Sequence, residues 1–345
     1  MSLLTKRSEL TDLRELSARL GRNPLLVQAS SGNTSVKLGD VLWVKASGKW
    51  LSHAMQEEVL VPVNLAEVRQ CVRQHVDPAE VYVSQSGNPL RASVETSMHA
   101  VLPHPVVIHV HSVNTIAWAV RRDGRAQLQD RLAGLRWQWI PYVASGLPLA
   151  KAIENVLVLA PDVLILGNHG LVVCGQNCTA AEALLYEIER RLAITPRRAP
   201  KPDFTFIAGI PEWSGWCLPE SAALHALGTD PVSRETICGG VLYPCQAIFL
   251  STHIPVLPWS VPLPQANKHC NCPSRVGPLL IAKDRGVCIS ENMTNAEYDV
   301  LVGLMHVAQR IDASVPIRYM TKAEVENVLN TDTHGYRTLA NQSGR

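Results

Sequence analysis

The sequence predicts a mixed α/β fold in two parts, and three observations predict it. Short runs of apolar, β-branched residues, at 106–111 and 163–166, read as buried strands. Segments with apolar residues at helical spacing alternate with them. A stretch rich in proline and charge, TPRRAPKPD at 195–203, separates a first part, residues 1–195, from a smaller α/β part, residues 204–345. For 345 residues, two domains of about 100–200 residues each is the ordinary expectation.

The elements follow in order. Residues 8–20 carry Leu10, Leu13, Leu16 and Leu20 at helical spacing. Val36, Leu38 and the run 41–44 predict a hairpin turning at Gly39-Asp40, with small polar loops before it at 30–34 and after it at 46–48. Residues 92–102 read as a helix that Pro103 and Pro105 stop, ahead of a strand at 106–111 and a helix over 113–120. The strand at 163–166 runs into Gly167-Asn168-His169-Gly170 and a second apolar run, 171–174. Thr179 with Glu182 three positions on predicts a capping box, and its helix runs to Leu192. In the second part, strand-like runs lie at 237–250 and 279–289. Capping boxes at Thr294/Glu297 and Thr321/Glu324 open two helices, and a polar tail follows Thr331.

Composition narrows the function classes. Apolar residues at 46% and charged residues at 18% suffice for a core and exclude wholesale disorder. A net charge of +2 offers no basic stripe for nucleic acid. No uncharged apolar stretch reaches the length of a membrane span. Nine cysteines without a CxxC pair, behind an N-terminus without a leader pattern, predict reduced thiols and a cytoplasmic protein.

The chemistry-bearing residues are few. In His109-Val110-His111, alternate residues of a strand share a face, with Cα atoms roughly 6.6 Å apart, so two imidazoles can converge on one ion. That pair alone equally describes two hydrogen-bonded histidines on a sheet face. His169, bracketed by Gly167 and Gly170, supplies a third imidazole at a strand end. Three imidazoles with an open fourth position describe a catalytic rather than a structural zinc site. Glu95, in the predicted helix with His99 one turn on, is the candidate general acid/base. His99 is expected to pack or support the site, and His104 to lie at the surface. His269-Cys270-Asn271-Cys272 is a smaller rival metal site, but a C-x-C segment cannot close a tetrahedron alone.

In this order, SGNTSVK, LWVKASG, SVETSMHAVLP, VVIHVHS and LILGNHGLVV resemble the class II aldolase/adducin family, over roughly residues 10–195. More narrowly they resemble the aldolase domains of rhamnulose-phosphate aldolase/short-chain dehydrogenase fusion proteins. The resemblance implies an α/β/α sandwich around a mostly antiparallel sheet and a homo-oligomer, commonly a tetramer. It implies a divalent metal, zinc foremost with manganese or cobalt as alternatives, on His109, His111 and His169. It makes Glu95 the catalytic glutamate and gives Asn33, Ser47, Gly48 and Ser93 a substrate phosphate to grip. Val94 departs from the family pattern, which often has a second hydroxyl there; Lys45 and Lys49 could supply charge instead.

The implied chemistry is aldolase-type lyase action in carbohydrate metabolism. A C–C bond of a sugar phosphate or related hydroxy-carbonyl compound is cleaved reversibly through a metal-bound enediolate, with Glu95 moving the proton. Alternatives are a sugar-phosphate 4-epimerase or decarboxylase, with Tyr142 or Tyr336 as a second acid/base, and a non-catalytic adducin-like interaction module. The segments 163–185 and 279–301 also share a strand–turn–strand–helix pattern, with Arg285 standing where His169 stands. The second part is therefore expected to be a degenerate copy without a metal.

Overall fold

The computed structural model describes residues 3–77, 90–204, 215–257, 277–331 and 341. Helix α1 (Leu3–Gly21) leads into the hairpin β1 (Asn33–Leu38) and β2 (Val41–Lys45), and Leu38 pairs with Val41 across the two-residue turn. Then come β3 (Leu60–Asn64), α2 (Leu65–Arg73), α3 (Thr96–Val101), β4 (Val106–Val110), α4 (Val113–Ala119), α5 (Gly124–Arg131) and β5 (Trp137–Ile140). Helix α6 (Leu147–Glu154), β6 (Val163–Leu166), β7 (Gly170–Gly175) and α7 (Cys178–Leu192) complete the first part. The second holds β8 (Trp216–Cys217), α8 (Ala226–Thr229), α9 (Pro231–Cys238), β9 (Val256–Leu257), β10 (Leu279–Ala282), β11 (Gly286–Ser290), α10 (Asn295–Ala308) and α11 (Lys322–Leu329).

A seven-stranded sheet in the order β3-β2-β1-β4-β7-β6-β5 is antiparallel except for its last pair, β5 with β6. Strand alternation builds the two helical layers. Val106, Ile108, Val110, Leu171 and Val173 face a core shared with Leu13, Leu16, Leu185 and Ile188 of α1 and α7. Val107, Val172 and Cys174 face the opposite core, with Met98 of α3 and Leu149 and Ile153 of α6. The result is an α/β/α sandwich around a mostly antiparallel sheet. No helix among the described residues is long and apolar enough to cross a membrane.

A second, four-stranded sheet has the order β8-β11-β10-β9. Its core is continuous with the first part: Leu279, Ile281, Val300 and Leu304 cluster with Val113, Ile116, Ala117 and Val120 of α4. The segment read as the boundary, 195–203, is tied to the second part. Arg197 donates to Asp230 Oδ2 at 2.6 Å, to Ser233 Oγ at 3.0 Å and to the Ala308 carbonyl at 3.0 Å.

Four sequence expectations need correction. The helix ending at Leu192 is capped by Asn177, whose side chain accepts from Ala180 N; Thr179 lies inside it, because an asparagine two residues earlier caps equally well. The run 237–250 is not a strand. Its start ends α9, and Gln246–Leu250 form a π-helical turn. The segment is apolar because it is buried on several sides, which periodicity cannot distinguish from a strand. The helix expected from residue 92 begins only at Thr96, since Ala92 bridges to Ala46 at the sheet edge. His104 is not a surface residue: it is buried, with Nε2 2.9 Å from Asp162 Oδ1. The capping boxes at Thr294 and Thr321 are both present. Tyr336 and the 269–272 segment lie outside the described residues.

Candidate metal centre

His109 sits in the middle of β4, opposite Asn33 of β1 and Val172 of β7. It points to the α3/α6 side of the sheet, and His111, just beyond the strand, follows it. His169 leaves the loop between β6 and β7. Asn168 before it takes the left-handed conformation, φ 51°, which asparagine tolerates better than most residues. Gly170 is required by space: a Cβ there would lie 2.6 Å from the Val110 carbonyl and 3.3 Å from both the His109 and His111 rings.

These elements bring the three imidazoles into a near-equilateral triangle. Ring centroids are 5.0 Å (His109–His111), 4.9 Å (His109–His169) and 5.1 Å (His111–His169) apart, and the rings meet edge to face. One nitrogen from each lies within 4.8 Å of the other two, a group no other set of described residues forms. All three side chains are buried.

Glu95 completes the cluster. It occupies the N-cap position of α3, but its carboxylate makes no capping bond and faces the triad instead. The turn that places it is local: Thr96 N donates to the Ser93 carbonyl and Glu95 N to Ser93 Oγ. Glu95 Oε2 is 3.4 Å from His109 Nε2, and Oε1 is 3.3 Å from His169 Nε2. Asn33 Nδ2 donates to Oε2 at 2.7 Å and Ser145 Oγ to Oε1 at 3.1 Å. Burial alone would raise the Glu95 carboxyl. The fields of His109 and His169, the Asn33 hydrogen bond and His111 outweigh burial and hold it well below the usual carboxylate range.

A relay behind Glu95 fixes Asn33. His99 Nε2 bonds Asn33 Oδ1, and Ser35 Oγ lies 2.7 Å from His99 Nδ1. Burial pushes His99 down to about 3, so the ring stays neutral at physiological pH. A neutral ring that donates from Nε2 leaves Nδ1 to accept from Ser35.

Glu95, His111 and His169 line a cavity, while His109 is fully buried and does not line it. Asn33, Ser47, Gly48 and Ser93, all expected at a substrate site, line its wall, with Lys45 and Ser145. Lys45 Nζ is buried and donates to the Ser30 and Lys49 carbonyls, both at 2.7 Å. Lys49 instead pairs with Glu57 and lines a neighbouring cavity. Tyr142 is not among the lining residues; it packs beside Met320 with Arg318 over its ring. Two lining residues, Pro244 and Cys245, come from the second part and carried no signal in the sequence. Ser145 was likewise missed, since a serine in a loop is ordinary turn chemistry.

The donor set fits a divalent metal ion. His109 Nε2 is buried and has no hydrogen-bond partner among the described residues, while Nδ1 of the same ring is held 3.0 Å from the Leu171 carbonyl.

The family described as class II aldolase and adducin N-terminal domain matches residues 11–195, more than half of the sequence. The chain belongs to this family. That region of the aldolase/adducin protein holds the triad, Glu95 and every lining residue except Pro244 and Cys245. Among curated proteins it is similar to the uncharacterized oxidoreductase YuxG of Bacillus subtilis (strain 168), at 29% identity in an alignment of 176 residues that covers 46% of this chain. The match spans only 25% of that relative's length. Among solved structures, the N-terminal class II aldolase domain of a conserved Thermoplasma acidophilum protein is 24% identical, with a TM-score of 0.48 over 53% of this chain and 92% of the other. L-fuculose-1-phosphate aldolase from Thermus thermophilus is 16% identical, with a TM-score of 0.38 over 60% of this chain and 98% of the other.

Proposed function

We propose that this aldolase/adducin-family protein is a metal-dependent aldolase that reversibly cleaves a C–C bond of a sugar phosphate or related hydroxy-carbonyl compound. The observation that carries the reading is the position of Glu95. Its two oxygens lie 3.4 and 3.3 Å from nitrogens of His109 and His169, at the floor of a cavity walled by small polar residues. His109, His111 and His169 would hold the ion. When bound, a divalent cation supplies Lewis-acid chemistry to a carbonyl and its adjacent hydroxyl.

The protein's own residues do the rest. Glu95 gives and takes the proton at the carbon next to the substrate carbonyl. Asn33 and Ser145 orient its carboxylate, and burial beneath the cavity wall keeps bulk water from competing for that proton. Ser47, Gly48 and Ser93 grip the substrate's phosphate or equivalent polar end. Residues 204–345 carry no metal of their own, a reading supported by Arg285 at the place of His169, since a guanidinium is permanently charged. The active form is a homo-oligomer, which sedimentation of the purified protein tests.

The functional test is metal analysis, followed by a screen for retro-aldol cleavage, epimerisation and decarboxylation across sugar phosphates and sugar acids with zinc, manganese or cobalt. One ion per chain and aldehyde release support the aldolase. An epimer or CO₂ as the product would replace it with an epimerase or decarboxylase. A protein with no affinity for any of the three metals would be a non-catalytic interaction module.

A further inference from the structure

The second part of the chain reaches the candidate metal centre at two points. Cys245 is buried against the triad, with Sγ 3.4 Å from His111 Nδ1. Asn168, the residue before His169, donates from Nδ2 to the Leu242 carbonyl at 2.8 Å and to the Arg318 carbonyl at 2.7 Å. It accepts from an Arg318 guanidinium nitrogen at 2.8 Å. The segment 242–245 therefore touches both the His111 ring and the loop that carries His169.

His109 shows what such a contact does. Its Nδ1 is held by the Leu171 carbonyl and its Nε2 faces Glu95, so one nitrogen is fixed by the protein and the other is turned to the site. At His111 the sulfur takes the place of that carbonyl. A second contact on a metal-binding imidazole fixes its tautomer and ring angle, and its loss typically weakens metal binding about 10–100-fold.

We propose that Cys245 is a positioning residue of the metal centre: it accepts a hydrogen bond from His111 Nδ1–H, leaves Nε2 for the ion, and makes metal affinity depend on residues beyond 204. The inference rests on the triad being a metal site. The sulfur acts on the ring and not on the ion: among the described residues, the ligand atoms mutually within 4.8 Å belong to the three histidines and to no thiol.

The test is zinc affinity of the full chain, measured by competition with a chromophoric chelator, for wild type and for Cys245→Val, Cys245→Ala and Cys245→Ser. Val fills the space without an acceptor, and Ser restores one. Near-ultraviolet circular dichroism and the thermal midpoint of the metal-free proteins report folding, so a variant that does not fold is set aside and the comparison rests on the others. Val and Ala should weaken zinc binding about 10–100-fold, and Ser should recover most of the loss. Wild-type affinity in Val or Ala overturns the proposal while leaving the triad intact, and so does a Ser variant no tighter than Ala. A thiolate-to-cobalt charge-transfer band in the cobalt-loaded wild type, absent in Cys245→Ser, would make the sulfur a ligand and also overturn it. A wild type with no zinc affinity would instead sink the metal site itself, and this inference with it.

Discussion

Two hairpins in this molecule are built alike and equipped differently. In the first, β6 and β7 pair from Leu166↔Gly170 to Val163↔Val173; in the second, β10 and β11 pair from Ala282↔Gly286 to Leu279↔Ile289. Both close over three residues, and the middle one is left-handed, Asn168 at φ 51° and Asp284 at φ 61°. Loop amides find matching partners: Gly167 N bonds the Ile140 carbonyl and Lys283 N that of Leu257, while Asn168 N bonds Ala119 and Asp284 N bonds Gly228. The surrounding strands repeat too, since β4-β7-β6-β5 and β8-β11-β10-β9 share order and direction.

The chemistry does not repeat. Arg285 follows Asp284 where His169 follows Asn168, and it pairs with Asp203. Carrying the register of β7 against β4 over to β11 against β8, Ile108 corresponds to Cys217, so His109 and His111 correspond to Leu218 and Glu220. The backbone scaffold thus repeats without the three histidines, and the proposed metal centre is a property of a few side chains on that scaffold. We propose that the described part of residues 204–345 is a counterpart of the aldolase-like unit without its histidine triad, whose work is to support the first.

Removing Glu95, the proposed proton carrier, should have the largest effect. Glu95→Gln keeps the shape of the side chain and one acceptor oxygen for Asn33, so the protein should keep its metal and lose about 10²–10⁴ in turnover. Near-normal turnover would move the acid/base role to another residue.

Exchanging the loop residues tests the comparison directly. His169→Arg copies the second loop into the first and should cut zinc affinity by more than the roughly 10–100-fold expected for a supporting contact. Arg285→His should not raise the zinc stoichiometry, because Leu218 and Glu220 cannot supply the missing imidazoles. Two zinc ions per chain in that variant would break the comparison.

The left-handed residues separate the hairpins more finely. Glycine relieves the backbone at both positions. Asn168→Gly, however, loses three hydrogen bonds to Leu242 and Arg318 and should cost about 1–3 kcal/mol in chemical denaturation. Asp284→Gly loses an ion pair with Arg234 whose carboxylate is 60% exposed, and should stay within about 1 kcal/mol of wild type. Equal losses would mean the two loops are equally embedded.

A pH slope probes the relay behind Glu95. His99 titrates near 3 in the folded protein and near 6.5 when unfolded, so the unfolded chain binds more protons between those values. Stability should rise with pH across that window, by at most about 1.4 kcal/mol per pH unit, and be complete above it. His99→Gln should flatten the slope; an unchanged slope would assign it to other groups.

Much of the scaffold was legible in the sequence because its signals are local. The Gly39-Asp40 turn and the Thr294 and Thr321 capping boxes each depend on residues within a few positions. So does the placement of His109 and His111 on one face, since side chains alternate along any strand. Local signals also mislead where a second residue can do the same work, as Asn177 did in place of Thr179, or where burial on all sides hides the period, as at 237–250.

By itself the sequence determined the elements that carry the site, the family and three histidines with one glutamate able to meet. Only the tertiary structure decided what surrounds them. Cys245 lies 134 positions from His111 and Arg318 lies 150 from Asn168, and neither pair has a spacing rule. Such contacts arise when α4 is shared by two cores and the second sheet is drawn against the first. Apolar burial drives that packing. It is non-directional, so the pattern of apolar residues states that surfaces will meet and leaves to the packed fold which polar atoms then face each other.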